Sequence, residues 1–518
     1  MTDKKIPGIK RLFGKEIDTR VLYGATALAL PFIILGFISP AMLGKAGSAA
    51  LDLLTGSFSW LYLMSCSFFV VAVIGIALSP LGKIKLGRDD ETPEFSFLSW
   101  FAMLFSAGMG IGLIFWSCSE PMYHFMSPPA GEAGTAGAAR QAFEIFFFHW
   151  GLHAWATYIV VGLPMAYFTF RKGRPATISS CIGTGPDPKK NVALGNRTVN
   201  ILAIWATIMG VVTSLGMGAI QINSGLSHSM GISTGPVPAA IIIAVITIVF
   251  ILSALTGVAK GIRILSLINV TLMVVLLLFF FVLGPFKYIL HTFFQALTDY
   301  AKDFVSLSTS FVLFDNPGWT KSWTVFYWAW WIAWAPFVGA FIARISRGRT
   351  IRQFILVILL APTLFSYVFS TALGGTAIYL DLFTNTSIGE AVKQSVEVAL
   401  FETLSHLPLY GLLVFFTNVL IASFFITSAD SATYVISRYS TAGLEPGNPR
   451  AGKRLIIFWG TILGGLAIVL IFSGGLSSLQ TASIVGAFPF LIIMFILLFV
   501  LIKELIKDYK SIPPTTVI

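Results

Sequence analysis

Long apolar segments, separated by short polar loops, run through almost the whole sequence. A membrane-spanning helix needs about 20 mostly apolar residues, and by this measure the sequence predicts twelve spans. They are placed at residues 21–42, 56–80, 95–118, 144–170, 199–226, 236–257, 263–287, 323–345, 353–379, 408–437, 455–474 and 480–502. Only 11% of the 518 residues are charged, whereas a soluble domain carries about 25%. The sequence therefore predicts an all-α integral membrane protein.

Lys and Arg residues are distributed unevenly between the two sides of the predicted membrane. Six of the 34 lie in loops that follow odd-numbered spans: Lys45, Arg140, Lys287, Lys302, Lys321 and Lys393. The other 28 of the 34 lie in the termini and in loops that follow even-numbered spans. Because basic loops stay in the cytoplasm, both termini are predicted to be cytoplasmic, in a multi-pass protein of the plasma membrane. The net charge of +11 is thus a topology signal, and no nucleic-acid partner is expected.

Two spans have unusual compositions and lie five spans apart. The third has glycine at every second position, at Gly108, Gly110 and Gly112, and the eighth contains Ala335-Pro336. We interpret them as the first helices of two five-helix repeats, spans 3–7 and spans 8–12, which are inverted because five is odd. Interrupted segments at corresponding positions of inverted halves mark the binding site in secondary transporters.

The predicted organisation follows from these spans. It comprises a cytoplasmic N-terminal tail (1–20), two peripheral helices (21–94), a first repeat (95–287), an amphipathic outer interfacial helix (288–322), a second repeat (323–502) and a short cytoplasmic tail (503–518). The interfacial assignment depends on apolar residues such as Phe293 and Leu297 that alternate with charged ones such as Asp299 and Lys302.

The eighth span has the richest aromatic content, reading WTVFYWAWWIAWAPF from Trp323 to Phe337 with five of the 13 tryptophans. Tryptophan in membrane proteins normally lies in interfacial belts, but this run continues toward mid-membrane. Stacked indole faces in a dry site bind a cation without hydrogen-bond donors by cation–π attraction. The run therefore predicts a quaternary ammonium ligand, and the competing interpretation is an aromatic packing stripe.

The fourth span supplies a second aromatic set at a similar depth, Trp150, Trp155 and Tyr158. Ordinary packing of an aromatic span is the alternative for this set. The glycine stretch of the third span also has two interpretations. It is either a close-packed helix surface or an unwound segment whose carbonyls face a cation, because each glycine costs about 1 kcal/mol of helix propensity.

Span 10 clusters hydroxyls and a carboxylate within the membrane, at Thr427, Ser428, Asp430 and Ser431. Hydroxyls and carbonyls are suitable ligands for sodium, while helix-to-helix hydrogen bonding is the alternative. For Asp430 a structural role is preferred. Ionisable groups in spans are functional hypotheses by default, but for Glu144, His149 and His153 structural hydrogen bonding is preferred to a proton relay.

The sequence lacks the features that mark other classes of membrane protein. The chain has no GxxxxGK[ST] loop, so ATP-driven pumping is not expected, and no ring of charges or repeated filter indicates a channel. We expect a secondary transporter rather than an enzyme. A receptor that binds the same ligand without moving it is the alternative from another class.

These motifs closely resemble those of the betaine/choline/carnitine transporter family. The resemblance depends above all on FYWAWWIAWAPF (Phe326 to Phe337) and the following ARISRGR (Ala343 to Arg349), with FHW at Phe148 and TSADS at Thr427. It extends over essentially the whole chain. It implies twelve helices with two inverted five-helix repeats of the amino-acid/sodium symporter (LeuT-like) type, a homotrimer and a quaternary ammonium substrate.

The resemblance also implies roles for individual residues. The family's aromatic box maps to Trp150, Trp155, Tyr158 and Trp331, and Trp330 and Trp334 would line the cytoplasmic exit. The glycine stretch, Gly108, Gly110 and Gly112, would border the substrate. Choline-type members tend to have Asp where this chain has Gly112, so the resemblance favours a zwitterionic betaine that needs no balancing carboxylate.

Sodium sites are implied in the same way, with sodium as the coupling ion and no other cofactor. One site maps to Ser106, Met109, Phe424, Thr427 and Ser428. A second maps to Thr207 and Phe337, but one turn after Thr207 the chain has Val211, where some members offer a hydroxyl.

Together these features predict a sodium-coupled symporter that imports glycine betaine for osmoprotection. The alternative is transport of choline, carnitine or another compatible solute such as proline betaine or ectoine, coupled to sodium or to protons. The predicted partners are the quaternary ammonium substrate, sodium, membrane lipid and two further copies of the chain.

Overall fold

The structure is a computed structural model that describes residue 13 and residues 17–108, 110–183, 190–256, 259–441 and 452–511. In these ranges the chain is helical apart from connecting loops, and the β-structure consists of two isolated bridges, Ile17 with Thr441 and Lys85 with Thr350. The first ten helices are α1 (Thr19–Ile38), α2 (Pro40–Leu78), α3 (Phe97–Gly108), α4 (Ile111–Met126), α5 (Ala136–Trp150), α6 (Leu152–Ala166), α7 (Ile178–Ile182), α8 (Lys190–Met230), α9 (Pro236–Thr256) and α10 (Ala259–Leu283). The remaining nine are α11 (Phe286–Thr309), α12 (Pro317–Thr320), α13 (Phe326–Ile345), α14 (Ile351–Thr384), α15 (Ile388–Gln394), α16 (Ala399–Ser405), α17 (Tyr410–Tyr439), α18 (Lys453–Gly474) and α19 (Leu476–Ser511).

Many of these helices are long enough to span a membrane. Over the described ranges, ten segments are long and apolar enough to cross a membrane when α5 with α6 and α12 with α13 are each counted as one. The number is eleven if one sharply bent pair is counted as a single span. The prediction of an all-α, multi-pass membrane protein is confirmed. The number twelve and the inverted repeats stay predictions.

The predicted third span does not form a single continuous helix, and the seventh is followed by a sharp bend. The third is divided between α3 and α4, because the helix stops at Gly108 and begins again at Ile111. The seventh corresponds to α10, which is followed after a bend of 112° by the amphipathic helix α11. Gly284 and Pro285 occupy this bend, and proline cannot continue a helix without losing a backbone hydrogen bond.

Other helix boundaries also differ from hydropathy. The second span was placed at 56–80, whereas α2 begins at Pro40 and is 39 residues long. Pro40 occupies the first turn of this helix, and the Ser39 hydroxyl caps it by accepting the amide of Met42 at 3.4 Å. The predicted fourth span is two helices, α5 and α6, that meet at Gly151.

The tryptophan-rich helix α13 lies at the centre of the bundle. Every residue from Phe326 to Gly339 is buried, and α13 packs against α6, α8 and α19. By contrast, only 28% of the apolar window of α1 and of α9 is buried. An aromatic helix covered on all sides by other helices indicates an internal site rather than a lipid-facing belt.

Ion pairs join the loop before α3 to the last turn of α13 and to the loop that follows it. Arg344 lies 3.1 Å from Glu94 and Arg347 lies 2.5 Å from Glu91. Arg349 is buried, donates to the Phe95 carbonyl at 2.6 Å and lies over the Trp100 ring at 4.7 Å. These contacts connect the N-terminal end of α3 to the C-terminal end of α13, the two helices that carry the unusual motifs.

Candidate substrate and ion site

Four aromatic side chains from three helices meet in the middle of the bundle. Trp150 ends α5, Trp155 and Tyr158 lie on α6, and Trp331 lies on α13. The ring centroids of Trp150 and Trp331 are 4.8 Å apart, those of Trp155 and Tyr158 are 5.4 Å apart, and those of Tyr158 and Trp331 are 6.2 Å apart. Each pair is close to perpendicular, and all four side chains are at most 5% exposed. We call this set the aromatic cluster.

The break at Gly151 brings these rings together. A Cβ atom there would lie 2.0 Å from the Tyr367 hydroxyl and 2.4 Å from the Phe147 carbonyl, so only glycine fits. Because α5 ends at this point, the carbonyl of His149 is among the last of the helix and lacks a helical partner. The indole N–H of Trp331 donates to it at 3.0 Å. The end of one helix thereby orients an aromatic side chain of another.

A second break lies between α3 and α4, beside the aromatic cluster. Gly110 has an extended backbone, and the first helical hydrogen bonds of α4 are those that Leu113 and Ile114 donate to its carbonyl. The preceding amides of Ile111 and Gly112 belong to the first turn of α4, where helical amides lack helical acceptors. The N-terminal end of a helix also carries a partial positive charge. This break therefore presents backbone donors toward the interior of the bundle.

Gly112 provides the seat for Trp330. A Cβ at residue 112 would lie 2.3 Å from Cη2 of that indole. The Trp330 ring also stacks on Trp331 at 4.8 Å and on Phe326 at 5.6 Å. Its N–H is buried and has no hydrogen-bond partner among the described residues. The glycine stretch and the tryptophan run are thus in direct contact.

Trp334, the other predicted exit residue, contacts α8. Its indole N–H donates to the Gly210 carbonyl at 2.7 Å, and its side chain is 7% exposed. A Cβ on Gly210 would lie 2.6 Å from the Trp334 ring. In this structure Trp330 and Trp334 fill the interior beside the aromatic cluster.

The predicted first sodium site is only partly within the described structure. Met109 lies outside the described residues, and of Ser106 and Gly108 only the helical backbone is described. The other three residues, Phe424, Thr427 and Ser428, lie on α17. Ser428 faces the break in the third span, since its hydroxyl oxygen is 3.6 Å from where a Cβ on Gly110 would be. The structure therefore brings one candidate hydroxyl to the unwound segment.

Asn269 on α10 was missed by the sequence analysis. Its amide N–H donates to the Thr427 hydroxyl at 3.0 Å, and its amide oxygen accepts from the Ser423 hydroxyl. Thr427 in turn donates to the Ser423 and Phe424 carbonyls of its own helix, at 3.0 and 3.1 Å. A polar residue in a predicted span was the available signal.

The two residues of the second predicted sodium site, Thr207 and Phe337, are described with other contacts than each other. Thr207 on α8 donates its hydroxyl to the Ala203 carbonyl of the same helix at 2.7 Å. Phe337 on α13 packs its ring against Trp334 at 5.6 Å. Val211 is buried and offers no oxygen ligand. The two helices pack together, but the hydrogen bond described between them is that of Trp334.

Glu120 on α4 is the second functional candidate that sequence reasoning missed. It is completely buried and accepts hydrogen bonds from the Trp150 indole N–H at 2.9 Å and from the Tyr327 hydroxyl. The available signal was an acidic residue two positions beyond a predicted span, in the sequence SCSEP. For His149 and His153 the preferred interpretation was hydrogen bonding, and His149 does bond to Glu120 and to Thr324.

The fold and the buried aromatic centre define a multi-pass membrane protein with an internal site formed by several helices. A family model described as "BCCT, betaine/carnitine/choline family transporter" matches residues 20–510, and the chain belongs to this family. It is therefore a transporter and not an enzyme.

Similar proteins carry related names. The chain is 44% identical, over 94% of its length and 98% of the relative's, to a probable glycine betaine transporter of Desulfitobacterium hafniense. It is 43% identical, over 95% of both chains, to the glycine betaine transporter OpuD of Bacillus subtilis. It is also 41% identical, over 96% of its length and 98% of the relative's, to an ectoine/hydroxyectoine transporter of Virgibacillus pantothenticus.

Proposed function

We propose that this protein imports glycine betaine by sodium-coupled symport and thereby serves osmoprotection. The single observation that carries the substrate assignment is the aromatic cluster of Trp150, Trp155, Tyr158 and Trp331 in a fully covered centre. A trimethylammonium group offers no hydrogen-bond donor, so indole and phenol rings are its natural partners. The names of two relatives support the same substrate.

The carboxylate of the substrate needs donors close to the aromatic cluster. The first amides of α4, at Ile111 and Gly112, and the indole N–H of Trp330 are the candidates. The positive end of the α4 dipole favours an anion at the same place. The Trp330 ring lies in the space that a side chain at Gly112 would occupy, so rings and amides lie side by side and a zwitterion can contact both. In this arrangement betaine is bound at both of its charged ends.

Sodium coupling is proposed from the position of α17. Ser428 faces the break between α3 and α4, and Thr427 and the Phe424 carbonyl lie one turn or less away. A sodium ion held by these oxygens and by Ser106 and Met109 would order the break that borders the substrate. Binding of ion and substrate would then favour the same conformation, which is how a ligand shifts a conformational equilibrium. Thr207 and Phe337 are proposed as the second site.

Orientation and assembly complete the proposal. The distribution of Lys and Arg supports a plasma-membrane protein with both termini in the cytoplasm, surrounded by lipid along the exposed faces of α1 and α9. A homotrimer follows from the resemblance described above, and cross-linking in native membranes is the measurement that tests it.

The deciding experiment is uptake of labelled glycine betaine by proteoliposomes with and without an inward sodium gradient. We expect accumulation that needs sodium and collapses when the gradient is dissipated. Uptake that is equal without sodium would refute the coupling, and binding without any accumulation would favour a receptor. A proton gradient in place of sodium tests the alternative coupling.

Ectoine is the second candidate substrate, because one relative is named an ectoine/hydroxyectoine transporter. Ectoine also joins a delocalised cation to a carboxylate, so it fits the same pairing of rings and amides. Its ring N–H groups, however, need acceptors, and within the aromatic cluster the Tyr158 hydroxyl is the side-chain group that can accept. Competition by unlabelled ectoine, choline and carnitine against labelled betaine ranks these substrates in one assay.

A further inference from the structure

The buried carboxylate of Glu120 lies directly behind the aromatic cluster. Its Oε2 accepts the indole N–H of Trp150 at 2.9 Å and the hydroxyl of Tyr327. Its Oε1 lies 2.6 Å from Nδ1 of His149. All of these side chains are at most 5% exposed. A carboxylate in such a place is retained only where several donors replace its lost hydration.

The same carboxylate also acts on the second indole of the cluster. His149 is bonded on one side to Glu120 and on the other to the Thr324 hydroxyl at 2.9 Å, and it stacks on Tyr327 at 4.6 Å. Its backbone carbonyl is the acceptor for the Trp331 indole. Glu120 therefore orients Trp150 directly and Trp331 through His149. One anion fixes two rings that meet at 4.8 Å.

Glu120, His124 and His149 also have ligand atoms within 4.8 Å of one another, which is compatible in spacing with a metal ion. The hydrogen bonds argue for a different use. The Trp319 indole can only donate, so Nδ1 of His124, 3.5 Å away, is its acceptor. A neutral His124 ring then carries its proton on Nε2, the atom 3.7 Å from Glu120. A protonated ring nitrogen does not ligate a metal.

We propose that Glu120 is a positioning residue that also supplies negative charge to the aromatic cluster and so makes it selective for cations. Cation–π attraction is electrostatic, and a nearby anion strengthens it in an interior where charges are poorly screened. An indole that donates its N–H to a carboxylate is polarised in the same sense. This inference rests on the proposed function, since it concerns how the trimethylammonium group is recognised.

Three substitutions separate charge from position. Glu120→Gln removes the charge and keeps an oxygen to accept from Trp150 and Tyr327. Its amide N–H faces Nδ1 of His149, which accepts it when the ring proton moves to Nε2 beside the Thr324 hydroxyl. Glu120→Asp keeps the charge and withdraws it from Trp150. Glu390→Gln is the matched control, because Glu390 is exposed and its ion pair among the described residues is a surface pair with Lys393.

The test compares two ligands of equal shape. Glycine betaine and 3,3-dimethylbutanoate share a carboxylate and three methyl groups, but carbon replaces the cationic nitrogen in the second. Binding of each to purified full-length protein is measured by intrinsic tryptophan fluorescence and calorimetry. For Glu120→Gln we expect the dissociation constant for betaine to rise about tenfold. We expect the affinity for 3,3-dimethylbutanoate to stay within about twofold. For Glu120→Asp both ligands should weaken alike, and Glu390→Gln should match wild type.

Each result supports or overturns the inference. Equal weakening of both ligands by Glu120→Gln would mean that Glu120 is structural only, and unchanged betaine affinity would remove it from recognition altogether. Should Glu120→Gln fail to fold, Glu120→Asp decides, because loss of its preference for betaine would contradict a role for the retained charge. A wild-type protein that binds no betaine would overturn the proposed function and this inference together. Normal wild-type binding with an unchanged preference in Glu120→Gln would overturn this inference alone.

Discussion

The indole N–H of Trp331 donates a hydrogen bond of 3.0 Å to the backbone carbonyl of His149. This bond joins the middle of α13 to the broken end of α5, where Gly151 has no room for a Cβ. The position of one aromatic ring therefore depends on a glycine in another helix. The aromatic cluster is held by backbone geometry as much as by packing of the rings.

Replacement of Trp331 by Leu should weaken binding of glycine betaine. The loss of one indole face corresponds to about 1–2 kcal/mol of cation–π attraction, roughly a five- to thirtyfold rise in the dissociation constant. Titration of the purified variant measures this change. Trp60→Leu is the matched control, because Trp60 is 51% exposed on α2. Equal affinity of Trp331→Leu and Trp60→Leu would exclude Trp331 from the binding site.

Replacement of Gly112 by Ala should impair transport, since the new methyl group would lie 2.3 Å from the Trp330 ring. The ring must move, and it is stacked against Trp331 at 4.8 Å. We expect the uptake rate in proteoliposomes to fall about tenfold, with a shift in tryptophan fluorescence. Gly56→Ala is the control, because no atom lies within 4 Å of a Cβ there and alanine favours a helix by about 1 kcal/mol. Normal uptake by Gly112→Ala would show that Trp330 adapts freely.

The sequence predicts the main components of this molecule because they depend on local chemistry. Apolar length predicts the all-α membrane fold, and the density of indoles predicts the buried centre around Trp331. The glycine spacing indicates an interruption in the third span, which the structure has at Gly110. Each of these features is determined by a short stretch of sequence and by the solvent that surrounds it.

Other features depend on tertiary contacts that no local pattern contains. Gly151 resembles many helical glycines until the Tyr367 hydroxyl is placed 2.0 Å from its missing Cβ. Glu120 and Asn269 acquire their partners only when helices distant in sequence meet. The start of α2 at Pro40 was missed because hydropathy records apolar length and does not detect the Ser39 cap.

Removal of the Thr427 hydroxyl should change the dependence of uptake on sodium. This hydroxyl accepts from Asn269 at 3.0 Å and lies one residue from Ser428, which faces the helix break. For Thr427→Val we expect the sodium concentration at half-maximal uptake to rise at least fivefold, because about 1 kcal/mol is lost with one hydroxyl interaction. Uptake against a series of sodium concentrations measures it.

The control for this substitution is Thr461→Val. The Thr461 hydroxyl is exposed and bonds only to the Ile457 carbonyl of its own helix in the described contacts. Its sodium dependence should equal that of wild type. If Thr427→Val shows the same sodium dependence as this control, Thr427 is not a sodium ligand. Asn269→Ala should behave like Thr427→Val in weaker form, since it removes a partner of the hydroxyl and leaves the oxygen in place.

Loss of the ion pair between Arg347 and Glu91 should expose the end of α13 that is proposed to face the cytoplasm. The pair is 2.5 Å long, and Arg347 is 48% exposed, so its removal should cost no more than about 1 kcal/mol of folding stability. Removal of the pair should affect the conformation of the protein more than its folding stability, because the pair joins the loop before α3 to the loop after α13. A cysteine placed at Ala343, which is 5% exposed, reports this opening through its rate of maleimide labelling in inside-out vesicles. The native Cys66, Cys118 and Cys181 are buried and give a low background. We expect Glu91→Gln to increase the labelling rate severalfold. The control, Glu390→Gln, removes a surface pair elsewhere and should leave the rate unchanged. Equal rates in the two variants would show that the pair between Arg347 and Glu91 does not keep this end of α13 closed.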